Sequence, residues 1–260
     1  MEQKTRISRR FEAILREGKK AFIPYIMAGC PSIEKTEEWV LNFSQLGCDI
    51  VELGVPFSDP LADGPAIQAA ADIALKNGVT LRGVLSLVAG LRKKTDIAII
   101  LMTYFNPVFK YGMEHFILDA VQSGVDGVIV PDLPPDEEPG FRGLALKNNL
   151  DTIYLLAPTS TEDRIQLVAE ASRGFIYYVS LTGITGSTIT ISAELKGMVE
   201  KIKRISGKPV AVGFGIKSPE DASEIAAHAD GVIVGSSIVS TMLNDEKALT
   251  DYIISLRKAI

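Results

Sequence analysis

The sequence predicts a closed (β/α)8 TIM barrel, a single domain spanning residues 1–260 with an extra helix at its N-terminus. Three observations carry that expectation. The chain has 260 residues, close to the roughly 250 typical of this barrel. Short apolar runs rich in Val, Ile and Leu recur eight times along it. Amphipathic stretches of helical length lie between the runs, and strict alternation of strand and helix means a parallel sheet with right-handed crossovers. The competing architecture is an open doubly wound sheet, which would show fewer strands and a glycine-rich first turn. The first turn here, Ala28-Gly29-Cys30-Pro31, is followed by no GxGxxG.

Strands are expected at 22–28, 50–55, 98–103, 127–131, 152–157, 175–179, 210–213 and 231–235. Each is nearly continuous in apolar character, as parallel strands covered on both faces require. Helices are expected at 61–76, 81–94, 218–227 and 241–257, among others. Ser218-Pro219-Glu220-Asp221 sets a capping hydroxyl, a first-turn proline and two acids in the order a helix N-terminus favours. Thr159-Ser160-Thr161-Glu162 fits a capping box. No Pro/Ser-rich linker or low-complexity segment divides the chain.

Composition narrows the function classes. With 27 basic and 32 acidic side chains the net charge is −5, and the basic runs, such as Arg9-Arg10 and Lys93-Lys94, are short. Nucleic-acid and anionic-membrane surfaces need clustered positive charge, so neither partner is expected. Cys30 and Cys48 show no CxxC or Cys/His spacing and read as reduced thiols of a cytosolic protein. The N-terminus lacks the apolar stretch of a signal peptide, and no apolar run approaches the ~20 residues that cross a bilayer. The expected location is the cytoplasm.

Barrel active sites lie at the C-terminal ends of the strands, so unusual residues there carry functional weight. Strand seven ends Gly213-Phe214-Gly215-Ile216 and strand eight ends Gly235-Ser236-Ser237, with a third Gly/Thr loop, Thr182-Gly183-Ile184-Thr185-Gly186-Ser187, after strand six. Glycines let backbone N–H groups approach an anion, and a helix starting near Ser236 aims its positive dipole end there. One such turn is merely tight; two on adjacent strands point to phosphate. Glu52 interrupts the apolar run Ile50-Val51-Glu52-Leu53-Gly54-Val55. Glutamate is rarely buried without a partner or a task, and burial raises its pKa toward that of a neutral-pH acid–base group. Its competing role is an ion pair across the barrel mouth. Asp63, eleven residues on, either shares acid–base work with Glu52 or caps the helix from Gly64.

Tyr177 and Tyr178 fall on opposite faces of strand six, and pattern alone does not say which points inward. His115 and His228 both fall in predicted helices, which leaves no histidine set for a metal at the mouth and no histidine electrophile. No lysine interrupts the C-terminal half of a strand, which argues against Schiff-base chemistry, and Lys217 reads as a solvated loop residue. Carboxylate acid–base catalysis on a small phosphorylated substrate is what remains.

The run from Glu52 through Asp63 to Pro65, ELGVPFSDPLADGP, resembles the signature of the tryptophan synthase α subunit over its whole length. Tyr104-Phe105-Asn106-Pro107, Ser180 through Gly186, Gly213-Phe214-Gly215-Ile216 and Val234-Gly235-Ser236 match as well, so the resemblance covers the chain. It implies a lyase that cleaves indole-3-glycerol phosphate to indole and glyceraldehyde 3-phosphate in tryptophan biosynthesis, with no metal or organic cofactor in this chain. Glu52 matches the family's acid–base glutamate, Asp63 the carboxylate that meets the indole N–H, and Tyr177 the active-site tyrosine. Gly186, Gly215, Gly235 and Ser236 match phosphate-binding positions alongside Gly213 and Phe214; Tyr25 and Met102 match the indole pocket. The loop 182–190 resembles a lid whose Thr185 meets Asp63 on closure. The resemblance also implies a pyridoxal-phosphate-dependent β subunit in an α2β2 heterotetramer, facing Pro56 to Asp59, Asn106 to Phe109 and Pro131 to Pro135. A stand-alone indole-forming lyase is the alternative that the sequence leaves open. Phe175 and the Gly29-Cys30-Pro31 turn depart from the common family pattern, away from the matched catalytic positions.

Overall fold

The computed structural model describes residues 4–61, 63–180, 193–213 and 215–260. Its parallel strands are β1 (Ala21–Met27), β2 (Ile50–Gly54), β3 (Ala98–Met102), β4 (Gly127–Ile129), β5 (Asp151–Thr152), β6 (Leu155–Leu156), β7 (Ile176–Val179), β8 (Val210–Gly213) and β9 (Gly231–Val234). They pair in the order β5-β4-β3-β2-β1-β9-β8-β7-β6. The expected strand 152–157 is thus two short segments, because the chain changes partner midway. β5 pairs with β4, and β6 pairs with β7. Between them the Ile153 N–H donates to Val128 (3.0 Å) and the Tyr154 carbonyl accepts from Tyr177 (3.2 Å). This one run therefore touches both edges of the sheet and closes the barrel.

Alternation along the strands sorts the side chains into two layers. Ile23, Ile50, Ala98, Ile100, Ile129, Ile153, Phe175, Tyr177, Ala211 and Ile233 form one interior cluster. Their neighbours in sequence, among them Phe22, Val51, Leu53, Ile99, Leu101, Tyr178, Val212 and Val232, join the layer under the helices. The interior is a packed core rather than a pore.

The expected N-terminal helix is α1 (Arg6–Arg16), started by Thr5, whose side chain accepts from the Ser8 N–H. Its apolar face, Ile7, Phe11 and Ile14, belongs to the interior cluster, and Phe11 lies 5.3 Å from Phe175 between ring centroids. α1 therefore plugs the N-terminal end of the barrel. Buried aspartates at the strand starts hold it there. Asp49 accepts from Arg10 Nε (3.0 Å), Arg257 (2.8 Å) and the Phe22 N–H (2.7 Å). Asp126 accepts from Arg6, Arg92 (2.6 Å) and the Ile99 N–H (2.8 Å), and Asp151 accepts from Thr5 (2.6 Å). Asp49 and Asp126 are thereby paired as well as hydrogen-bonded, and Arg173 Nε stands 3.6 Å from Asp151, the condition under which buried charge is tolerated.

Several helix boundaries differ from the sequence expectation. α3 runs Pro65–Lys76 rather than from 61, since Gly64 is its N-cap and Pro65 its first residue. α4 stops at Leu91. Phe105 to Tyr111, read as a loop at its start, is the short helix α5. The helix expected at 241–257 is two, α11 (Ser236–Asn244) and α12 (Glu246–Ala259), divided at Asp245, whose extended backbone and side chain cap the second. Thr161, not Thr159, caps α8 (Glu162–Ala171), while Ser160 accepts from the Ala157 N–H instead. Ser218 caps α10 (Pro219–Ala226) as expected, and Asp221 completes a capping box with it, while His228 falls in the turn beyond that helix. Among the described residues, no helix is long and apolar enough to cross a membrane.

Truncating the plug tests its role. Phe11→Ala is expected to lower the unfolding free energy by about 3–5 kcal/mol in denaturant titrations. Lys19→Ala, which removes an ion pair in open solvent with Glu17, is expected to leave the unfolding midpoint unchanged.

Candidate active site

Interior parity places Glu52. Ile50 lies in the interior cluster, so Glu52 and Gly54 on the same strand face point inward, and in register Glu52 stands between Tyr25 of β1 and Ile100 of β3. The side chain is 1% exposed. Among the described residues, its Oε1 has no hydrogen-bond partner, so an ion pair across the mouth is not its role there. Burial, and after it the negative charge of Asp63, pushes its carboxyl pKa up to about 8.

Asp63 lies half-buried between β2 and α3. The cap role left open by the sequence falls away: Gly64 is the N-cap without a side-chain cap bond, and Asp63 uses its backbone carbonyl to accept from Gln68 (2.8 Å). Its carboxylate instead takes a hydrogen bond from the Tyr104 hydroxyl. Burial raises the Asp63 pKa while that bond opposes the rise. Glu52 Oε1 has no such donor, and with a pKa of about 8 Glu52 holds its proton at neutral pH.

Tyr177 faces inward and Tyr178 outward, which settles the direction that pattern left open. The Tyr177 phenol lies along Gly213 of neighbouring β8, where an added Cβ would sit 2.4 Å from the hydroxyl oxygen. Tyr25 repeats the arrangement over Gly54 of β2, at 2.0 Å. Both glycines are thus required by the close approach of a ring. Burial holds both phenols well above the ordinary tyrosine pKa, and the nearby carboxylates add to it: Asp63 and Glu52 for Tyr25, Glu52 for Tyr177. They are neutral donors at any working pH. Met102 ends β3 opposite Gly54, half-buried against the interior cluster.

The glycine-rich turns converge as well. Gly213 pairs with the strand that ends before Gly235, and Gly215 has a φ of +78°, a conformation that glycine adopts without strain. Gly235 is the N-cap of α11 and contributes no side-chain cap, so the first N–H groups of that helix have no cap partner from it. Ser237 Oγ donates to the Ile216 carbonyl (2.8 Å), which ties the start of α11 to the turn after β8. Exposed Ser236 opens the helix. A Cβ on Gly235 would stand 3.5 Å from that of Tyr25, so Tyr25, beside Glu52 in register, lies between the start of α11 and the carboxyl pair.

Thr185, Gly186 and Phe214, with the rest of the loop 182–190, lie outside the described residues. Lys217 is exposed and bonded only through its backbone in the contacts seen here. Among the described residues, no three His, Cys, Asp or Glu side chains gather as a metal site. Sequence reasoning passed over two contributors. Tyr104 was recognised only as a loop residue; it is buried, with its ring 5.4 Å from that of Phe57, and a tyrosine directly after a strand was the available signal. Gly54 was read as strand, though a glycine two residues beyond an inward glutamate signals a close approach.

Known proteins resemble this chain over nearly its whole length. The tryptophan synthase alpha chain family model matches residues 11–258. The tryptophan synthase alpha chain of Geotalea daltonii is 48% identical over 234 residues, 90% of this chain and 89% of that one. That of Geobacter sulfurreducens is 43% identical over 98% of this chain and 99% of its own. The crystal structure of tryptophan synthase subunit alpha from Legionella pneumophila superposes with a TM-score of 0.92 at 37% identity, covering 99% of each chain. By sequence and by fold alike, this chain belongs to the tryptophan synthase alpha chain family.

Proposed function

We propose that this chain cleaves indole-3-glycerol phosphate to indole and glyceraldehyde 3-phosphate, with Glu52 and Asp63 as its catalytic pair. The observation that carries this reading is a buried, inward glutamate with a pKa near 8 beside a second carboxylate that holds its own donor. In its protonated form Glu52 delivers a proton to indole C3. Positive charge then builds at the ring nitrogen, where the Asp63 carboxylate accepts the N–H and stabilises it, an electrostatic effect that is large in a water-poor pocket. Glu52, now ionised, takes the proton from the hydroxyl on the carbon attached to C3. The O–H electrons form the aldehyde carbonyl, the C–C bond breaks, and its electrons restore the aromatic ring. The net proton movement is from hydroxyl to C3, so no redox partner or cofactor is needed.

The remaining residues hold the substrate in this scheme. Tyr25, Met102 and Tyr177 bound the indole, and Gly213, Gly215, Gly235 and Ser236 receive the phosphate at the start of α11. Thr185, Gly186 and Phe214 are assigned to the same pocket by family pattern. A β partner follows from family membership. We assign an α2β2 assembly, a cytoplasmic location and pyridoxal phosphate in the β subunit only. Leu61 is 90% and Phe109 64% exposed. Phe109 also lines an open groove of about 390 Å3 with Phe105, Asn106, Asp132 and Leu133. Apolar surface of this kind favours a partnered enzyme over the stand-alone lyase.

Indole release tests the assignment. Glu52→Gln and Asp63→Asn are each expected to lower kcat at least about 100-fold, the scale of acid–base and electrostatic contributions; near-normal turnover in either variant contradicts its role. Because Glu52 must start protonated, kcat/KM for the wild type is expected to fall as pH rises through about 8.

The same group links pH to stability with a definite sign. An unfolded glutamate loses its proton near 4.5, whereas the folded chain keeps it to about 8. Between those values the folded state binds more proton, so stability falls as pH rises. Glu52→Gln removes that cost and is expected to stabilise the fold by about 3 kcal/mol at pH 7 and by less at pH 5, as thermal unfolding at the two pH values would show.

A further inference from the structure

We propose that Asp132 is a positioning residue for this reaction: it holds the start of the helix that follows β3, and through Tyr104 it fixes the orientation of Asp63. The proposal rests on Asp63 being the carboxylate that meets the indole. Tyr104 is the N-cap of α5 but supplies no side-chain cap bond. Asp132, from the loop after β4, supplies it instead. Both its carboxylate oxygens accept from the Phe105 N–H, at 2.9 and 3.1 Å, and a negative charge at that end also suits the helix dipole.

Tyr104 is therefore held from two directions. Behind it the Thr103 N–H makes a ladder bond to the Ile129 carbonyl (3.0 Å), and ahead of it Phe105 is bound to Asp132. Its buried side chain then meets the loop after β2 at two points, the ring against Phe57 and the hydroxyl on Asp63. Asp132 itself is exposed. Its influence on the reacting groups has to pass through the backbone of residues 104 and 105, since among the described residues no hydrogen bond or ion pair joins it to the carboxyl pair directly. Losing the cap leaves a helix N–H without its acceptor and frees the first turn of a helix of seven residues, which loosens the residue just before it.

Carbon-13 NMR titration of the Asp63 carboxyl, in parallel with indole release, tests the chain of contacts. The ionisable groups facing Asp63 are Glu52 from β2, Tyr25 from β1 and Tyr104. Tyr104→Phe is expected to raise the Asp63 midpoint by about one pH unit, the scale of one hydrogen bond to a charged group. Asp132→Ala, which removes both acceptors from the Phe105 N–H, is expected to raise it in the same direction and to lower kcat severalfold, with no further effect in the Tyr104→Phe background. The sign is diagnostic, because merely removing a negative charge acting through space would lower the midpoint. An unchanged or lowered midpoint in Asp132→Ala, or an equal shift in both backgrounds, overturns the proposal. Near-normal turnover in Asp63→Asn would instead refute the catalytic reading, while the NMR midpoints still decide the positioning.

Discussion

The site depends on the desolvation of one carboxyl group. Glu52 is enclosed at the mouth of an apolar cylinder, and water is the only solvent that would hold its charge cheaply. The barrel answers by keeping the group neutral rather than by pairing it. A carboxyl group so tuned can give a proton at neutral pH and, once ionised, is more basic than an ordinary carboxylate. The second carboxylate works only because its surroundings differ. Asp63 is partly exposed and accepts from Tyr104, so in the proposed reaction the two like groups divide into an acid and a charge stabiliser.

The opposite end of the barrel solves the same problem in the other way. Asp49 and Asp126 are buried like Glu52, yet each is bound by arginines and by a backbone N–H of the adjoining strand. Those carboxylates fasten the N-terminal helix and the strand starts, and they leave no group free to react. Reactivity and stability thus sit at different ends of one sheet. The division lets the mouth carry a destabilising acid, because the plugged end and the packed interior hold the fold together.

Much of this was legible in the chain. Eight apolar runs gave the strand positions because parallel strands are apolar on both faces, and Glu52 stood out as the polar exception among them. Spacing of two along Ile50, Glu52 and Gly54 carried its direction once a single residue of the strand was known to face inward. Long-range contacts were not legible. Nothing near Asp63 in sequence announces that Tyr104 binds it, and the split of the fifth strand arises from a change of partner that local pattern does not encode. The helix divided at Asp245 looked continuous because the apolar period runs through it; one extended residue was enough to restart the turn.

The most direct measurement is the ionisation of Glu52 itself. Infrared difference spectroscopy across a pH series, with Glu52→Gln as the reference, isolates the stretch of its protonated carboxyl. The account predicts that this band persists at pH 7 and disappears with a midpoint near 8. A midpoint near 4.5, the value of an ordinary glutamate, would show that the group is solvated and charged, and the proton donor would have to be sought elsewhere.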